Sequence, residues 1–260
     1  MVTPIAERRI DVTIIYVKII LALALGVLAG QSVVYIFNRM PASWLCDYGE
    51  EPSEELKDPQ IQRVKGWPWR WVYSGLLGCL CIRTAFAHIH HAPAGFSGLP
   101  PDTVQLISQG QFTLAALIAC WAMLIIGLAD LKYMIIPDQF VIALALAAVG
   151  FLPLQESLWQ PLGGMALGGG LMLFVAGMGR LIFRREIMGF GDVKLCAAMG
   201  LGLGIYGTLI ALAAGSLASG FGAAIGLALK KYRRDDMKPL GPYLCGGGIF
   251  YIFIVWPFIV

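Results

Sequence analysis

The sequence predicts an all-α fold, a polytopic transmembrane helix bundle of about eight spans with the N-terminus and C-terminus both outside. Hydrophobic residues make up 58% of the 260-residue chain and charged residues only 13%, against roughly 25% charged in a soluble globular domain. The apolar residues also fall into long runs separated by short polar connectors, which is how a bundle adapted to lipid is written.

A membrane-crossing helix needs about 20 mainly apolar residues, and residues 12–37, 67–87, 112–129, 140–154 and 162–183 qualify in turn. Residues 193–229 are too long for one span and carry Gly202, Gly204 and Gly207 near the middle, so they read as two short helices with a turn near Tyr206. Residues 243–260 complete the set. The whole of 1–260 reads as a single membrane-embedded domain.

Lys and Arg in short loops favour the cytoplasm. With an outer N-terminus, the inner segments hold Arg39, Lys57, Arg63, Lys65, Arg70, Lys132, Arg180, Arg184, Arg185, Lys194, Lys230, Lys231, Arg233, Arg234 and Lys238. The connectors 92–111 and 155–161 contain neither residue type. Arg8 and Arg9 run against this pattern. They also match the basic start of a signal peptide, but the apolar run continues to Phe37 without a polar cleavage region and fits a retained helix better.

The polar insert 41–66 is an acidic cytoplasmic loop with Asp47, Glu50, Glu51, Glu54, Glu55 and Asp58. Trp67, Trp69 and Trp71 follow it, where an interfacial aromatic belt belongs. Gly164 and Gly168, like Gly200 and Gly204, place small residues one helical turn apart and let helices approach closely. The net charge of +3 and the clustering of most Lys and Arg in short loops argue against a nucleic-acid surface. The cysteines, Cys46, Cys79, Cys81, Cys120, Cys196 and Cys245, lie mostly in apolar runs and form no disulfide framework or zinc tetrad.

Acidic residues at the ends of apolar helices are costly, and each is a candidate for function. Asp130 closes the third apolar run in Ala129-Asp130-Leu131-Lys132, and Asp192 follows Met188-Gly189-Phe190-Gly191. Two carboxylates brought close do not readily ionise together, so one holds a proton while the other is charged. The charged member can take a proton from water, and the protonated member can hydrogen-bond a scissile carbonyl. Such a pair hydrolyses a peptide without a metal.

Gly189 and Gly191 lack a Cβ and so permit close backbone approach or positive φ. Asp192 reads equally well as an N-cap after a glycine turn. Asp138, after Pro137 and before an apolar run, reads as an N-cap in preference to a rival of Asp130. Lys132 and Lys194 read as topology signals or as cations that favour a nearby charged carboxylate. His88, His90 and His91 have no carboxylate or cysteine at ligand spacing, so they read as solvated boundary residues, and no metal site is expected.

Asp130 with Ile136-Pro137-Asp138, then Gly189-Phe190-Gly191-Asp192-Val193-Lys194-Leu195, resembles the type IV prepilin peptidases of bacteria, which carry a Gly-x-Gly-Asp signature. Residues 30–39 with Pro41, and Pro239-Leu240-Gly241-Pro242-Tyr243, are similar to further parts of that pattern. The resemblance implies an aspartic endopeptidase of the bacterial inner membrane, with Asp130 and Asp192 catalytic. It would remove leaders from prepilins or pseudopilins at the cytoplasmic face, for pilus assembly or type II secretion. Gly189, Gly191, Lys194, Lys132, Pro137 and Asp138 would support the site. Prepilin substrates and membrane lipids are the implied partners, and proteolysis needs no cofactor.

Many members of the family carry two Cys-x-x-Cys pairs in the loop after the first helix, where this chain has only Cys46. A structural zinc is therefore not expected. N-methylation of the new N-terminus, with S-adenosylmethionine as donor, is an activity that many members add. A proton- or cation-coupled transporter and a non-catalytic pilus scaffold are the competing classes. The first needs deeper acids and an inverted repeat, and the second does not need Asp130 and Asp192 intact.

Overall fold

A computed structural model describes residues 4–46, 56, 62–87, 101–155, 157–184, 188–229 and 238–256, with the backbone alone of 4–14, 101–102 and 183. The acidic residues of the 41–66 insert and the histidines 88, 90 and 91 lie outside the described residues.

The described chain is helical without strands. Helix α1 is Pro4–Arg39, α2 Trp69–Ala85, α3 Pro101–Tyr133, α4 Asp138–Val149, α5 Trp159–Phe183, α6 Phe190–Ala228 and α7 Gly241–Phe250, which continues as a π-helical turn Tyr251–Val255. Among the described residues, four segments are long and apolar enough to cross a membrane alone: Ile15–Arg39, Thr103–Tyr133, Trp159–Ile182 and Phe190–Ala228. Helices α4 and α7 are shorter and apolar. Lipid offers backbone groups no partner, so a fold that satisfies them inside helices suits this composition.

The fourth apolar run is shorter as a helix than expected. It stops at Val149, and Gly150 lies so close to Ala115 of α3 that an added Cβ would come within 2.7 Å. A 3₁₀ turn, Leu152–Leu154, follows.

The expected break in residues 193–229 is present, at Gly204, two residues before Tyr206. Gly204 has φ 69° and ψ −176°, a conformation open in practice only to glycine. The chain reverses there. A Cβ on Gly168 would touch both the Cys196 carbonyl and Thr208 Cγ2, although residues 196 and 208 would lie about 18 Å apart along a straight helix. Adjacent glycines of α7 repeat the observation, since Gly248 faces Met199 and Gly247 faces Ala211. Helix α6 is thus two limbs, 190–203 and 205–228, folded side by side. Gln155 closes the reversal by donating from Nε2 to the Gly202 carbonyl at 2.9 Å.

The paired small residues act as expected. Gly164 of α5 lies against Gly200 and Gly204, and an added Cβ would come within 2.6 Å of the Gly204 carbonyl carbon. Between the α6 limbs, α3 and α7 sits a core of fully buried Met123, Ile125, Ile126, Leu195, Met199 and Leu244. At one end of the bundle Phe112, Phe151 and Trp256 pack as an aromatic cluster, with Phe112 and Trp256 ring centres 5.3 Å apart. Lys18 Nζ donates to Gln109 at this same end.

The opposite end is tied by polar contacts. Asn38 and Val64 exchange two hydrogen bonds of 2.8 and 3.0 Å. Arg63 donates to the Phe37 and Met40 carbonyls, and Lys132 donates to the Arg63 carbonyl. The described Lys and Arg side chains gather at this end, apart from Lys18 and Arg83. Trp67, Trp69 and Trp71 stand there exposed, the first at 77%.

Candidate active site

Asp130 and Asp192 both belong to this polar end. Asp130 lies three helical residues before the end of α3, on the face that carries the buried Met123 and Ile126. That spacing of four and seven residues is one side of a helix, which turns the carboxylate inward. It is 6% exposed. Its Oδ2 accepts a hydrogen bond of 2.8 Å from the backbone N–H of Gly241, one of the amides that the start of α7 leaves without a helical partner. A Cβ on Gly241 would lie 2.7 Å from that oxygen, so only glycine permits this approach.

Asp192 is the third residue of α6, and the buried Leu195, Cys196 and Met199 continue its face. It stands close enough to Asp130 for the two carboxylates to interact electrostatically, and the buried Cys245 of α7 is within such reach of both. Asp192 Oδ1 is buried with no hydrogen-bond partner. Buried polar atoms are nearly always partnered, and this oxygen takes no hydrogen bond from the described protein. Acids from two helices, 62 residues apart in sequence, thereby lie within electrostatic reach of each other.

The N-cap readings of both rival roles are corrected. Gly189 is the N-cap of α6, with φ −71° and ψ 148°, and Asp192 makes no capping bond. The N-cap of α4 is Pro137, with Asp138 in the first turn and again no side-chain cap. Asp138 instead receives two hydrogen bonds of 2.9 Å from Lys194 Nζ. A carboxylate in the first turn of a helix is favoured by the helix dipole in any case.

Positive φ, expected of the motif glycines, is not found, since Gly204 is the one described glycine with it. Gly191 serves close approach: its added Cβ would lie 3.0 Å from Ile136 Cβ. Gly189 has nothing nearer than the Gly191 nitrogen at 3.9 Å. The Ile136-Pro137-Asp138 segment therefore packs directly on the Gly-x-Gly-Asp segment. Lys132 points away to the Arg63 carbonyl and the Tyr133 ring. Gly241 is the residue that reading the sequence for side-chain chemistry missed; the Pro-Leu-Gly-Pro run around it was the available signal.

Among the described residues no three His, Cys, Asp or Glu side chains are grouped as metal ligands. Cys46 donates weakly to the Ser43 carbonyl at 3.5 Å.

Fold and site define a multi-pass membrane protein with two interacting carboxylates at the basic end of a helix bundle. Residues 117–227, which include both aspartates, match the family model described as the type IV leader peptidase family. A prepilin leader peptidase/N-methyltransferase of Aeromonas hydrophila is 32% identical over 229 residues, covering 85% of this chain and 73% of the relative. The protein of that name from Burkholderia pseudomallei strain K96243 is 25% identical over 289 residues, covering 91% and 85%. The one from Legionella pneumophila is 32% identical over 149 residues, covering 54% and 50%. No solved structure matches the chain. The chain belongs to the type IV leader peptidase family and is an enzyme of the prepilin leader peptidase kind.

Proposed function

We propose that Asp130 and Asp192 are the catalytic pair of an aspartic endopeptidase that removes leaders from prepilins or pseudopilins at the cytoplasmic membrane face. The observation that carries this is that the two carboxylates lie within electrostatic reach of each other, Asp130 held by Gly241 N–H and Asp192 with a buried oxygen that takes no hydrogen bond from the described protein. The concentration of Lys and Arg at the same end supports a cytoplasmic site and about eight crossings, the two α6 limbs counted separately.

In the proposed reaction one carboxylate is charged and its neighbour holds a proton. The charged one takes a proton from an attacking water as its oxygen bonds to the scissile carbonyl carbon. The protonated one hydrogen-bonds the carbonyl oxygen and stabilises the charge that develops there. Collapse of the tetrahedral intermediate breaks the C–N bond, and a proton from the pair passes to the leaving amine. Because the groups are coupled, their titration belongs to the pair.

The relatives' names also include N-methyltransferase. Such an activity takes its methyl group from an adenosyl donor, whose ribose hydroxyls are often bound by a carboxylate. The cavity of about 280 Å³ between α1 and α2 is lined by Gln31, Ser32, Tyr35 and Arg70, with no acid among them. No step is assigned through that donor. Mass spectrometry of a prepilin co-expressed with this protein tests the proposal. The expected product is a subunit shortened at its leader junction, and an uncut precursor contradicts the reading. The same spectrum reports any added methyl group.

A further inference from the structure

We infer that Asp138 and Lys194 are a pair of positioning residues, an ionic latch outside the acid pair that sets the two aspartate-bearing helix ends against each other during cleavage. This rests on the two-aspartate reading proposed above.

Lys194 Nζ, from the fifth residue of α6, donates to both oxygens of Asp138, the first residue of α4, at 2.9 Å. Among the described contacts neither residue hydrogen-bonds or ion-pairs with the acids. What they hold is geometry. Asp138 follows Asp130 by eight residues and Lys194 follows Asp192 by two, so the contact closes a short ring of chain through both aspartates. Within the ring, Gly191 packs on Ile136.

The direction of Lys194 matters as much as its partner. Phe190 and Lys194 are four residues apart and share one face of α6, and the ammonium lies 5.5 Å from the centre of the Phe190 ring. Asp192, two residues from each, points about 200° away around the helix, toward the buried core. Pinning Lys194 on the outer face therefore sets the rotation that aims Asp192 inward. Both latch residues are about half exposed, Lys194 at 40% and Asp138 at 51%, and an exposed ion pair adds little stability. A role in positioning is consequently separable from one in folding.

The test measures steady-state cleavage of a purified prepilin by the full-length protein in detergent. Asp138→Asn and Lys194→Gln are each expected to lower kcat about tenfold with KM nearly unchanged, because alignment and not substrate affinity is lost. The double variant Asp138→Asn with Lys194→Gln should fall no further than either single change, as partners in one contact do. The exchange Asp138→Lys with Lys194→Asp should recover most of the loss. The melting temperature of Lys194→Gln should stay at the wild-type value, and only the variants at Asp138, which give up the helix-dipole contribution at the start of α4, should melt slightly lower.

Unchanged kcat in both single variants, or losses that multiply in the double variant, overturns the latch. An exchanged variant that folds but gains nothing over the singles does the same. Asp130→Asn serves as the control: full cleavage by it removes the two-aspartate reading itself, whereas an inactive Asp130→Asn beside a fully active Asp138→Asn removes only the latch.

Discussion

The Asp130 carboxylate is held at 2.8 Å by the backbone N–H of Gly241, a residue 111 positions further along the chain. Helix α7 thereby reaches into a site whose acids come from α3 and α6. An alanine at 241 would set its Cβ against Asp130 Oδ2 and push the carboxylate aside. Gly241→Ala is expected to lower kcat/KM for prepilin cleavage about 100-fold, the usual cost of a misplaced catalytic group. Initial-rate kinetics on purified protein, with circular dichroism to verify the helices, checks this.

The approach of α5 to α6 depends on glycine at defined places. Gly164→Ala would press a methyl group on the Gly204 carbonyl, whereas Gly170 has nothing within 4 Å of its added Cβ. Gly164→Ala should therefore destabilise the protein by about 1–3 kcal/mol, the usual range for overpacking, while Gly170→Ala stays near wild type. Thermal unfolding in one detergent, followed by circular dichroism, compares the two.

Much of this site can be read in the sequence because side-chain chemistry and spacing carry it. Asp130 and Asp192 stand out as acids at the ends of apolar runs, and Gly189 to Lys194 forms a recognisable motif. Gly241 does not stand out, since a donating backbone amide has no residue type of its own. Local spacing makes Asp138 look like a cap because it describes only helix starts, while its partner Lys194 lies 56 positions away. Gly202, Gly204 and Gly207 all allow a reversal. Packing against Gln155, Gln160 and Gly164 decides that Gly204 makes it, and no local rule contains that information.

That reversal gives a sharp expectation. Any Cβ at 204 meets the φ of 69° with ψ −176°, where strain is about 1–3 kcal/mol for a non-glycine residue. Gly204→Val should unfold at lower temperature than Gly204→Ala, and both below wild type. Differential scanning fluorimetry of the three proteins gives the order.

Gln155 satisfies the carbonyl of Gly202 where the helix breaks. Gln155→Leu leaves this acceptor without its donor but also removes Gln155 Oε1, a buried oxygen with no protein partner, so it is expected to cost about 1 kcal/mol, the low end for an unsatisfied buried group. Its melting temperature should drop, and cleavage at low temperature should persist because the site lies at the opposite end of the bundle. Paired melting and activity measurements on this variant decide the point.

The most direct measurement is prepilin cleavage by Asp130→Asn and Asp192→Asn, purified in folded form beside the wild type. An amide keeps the shape of the side chain but cannot take up the proton that peptide hydrolysis moves. Each variant should lose at least about 100-fold in kcat, the lower bound for removing general acid–base catalysis. Either variant cutting at the wild-type rate would contradict the account.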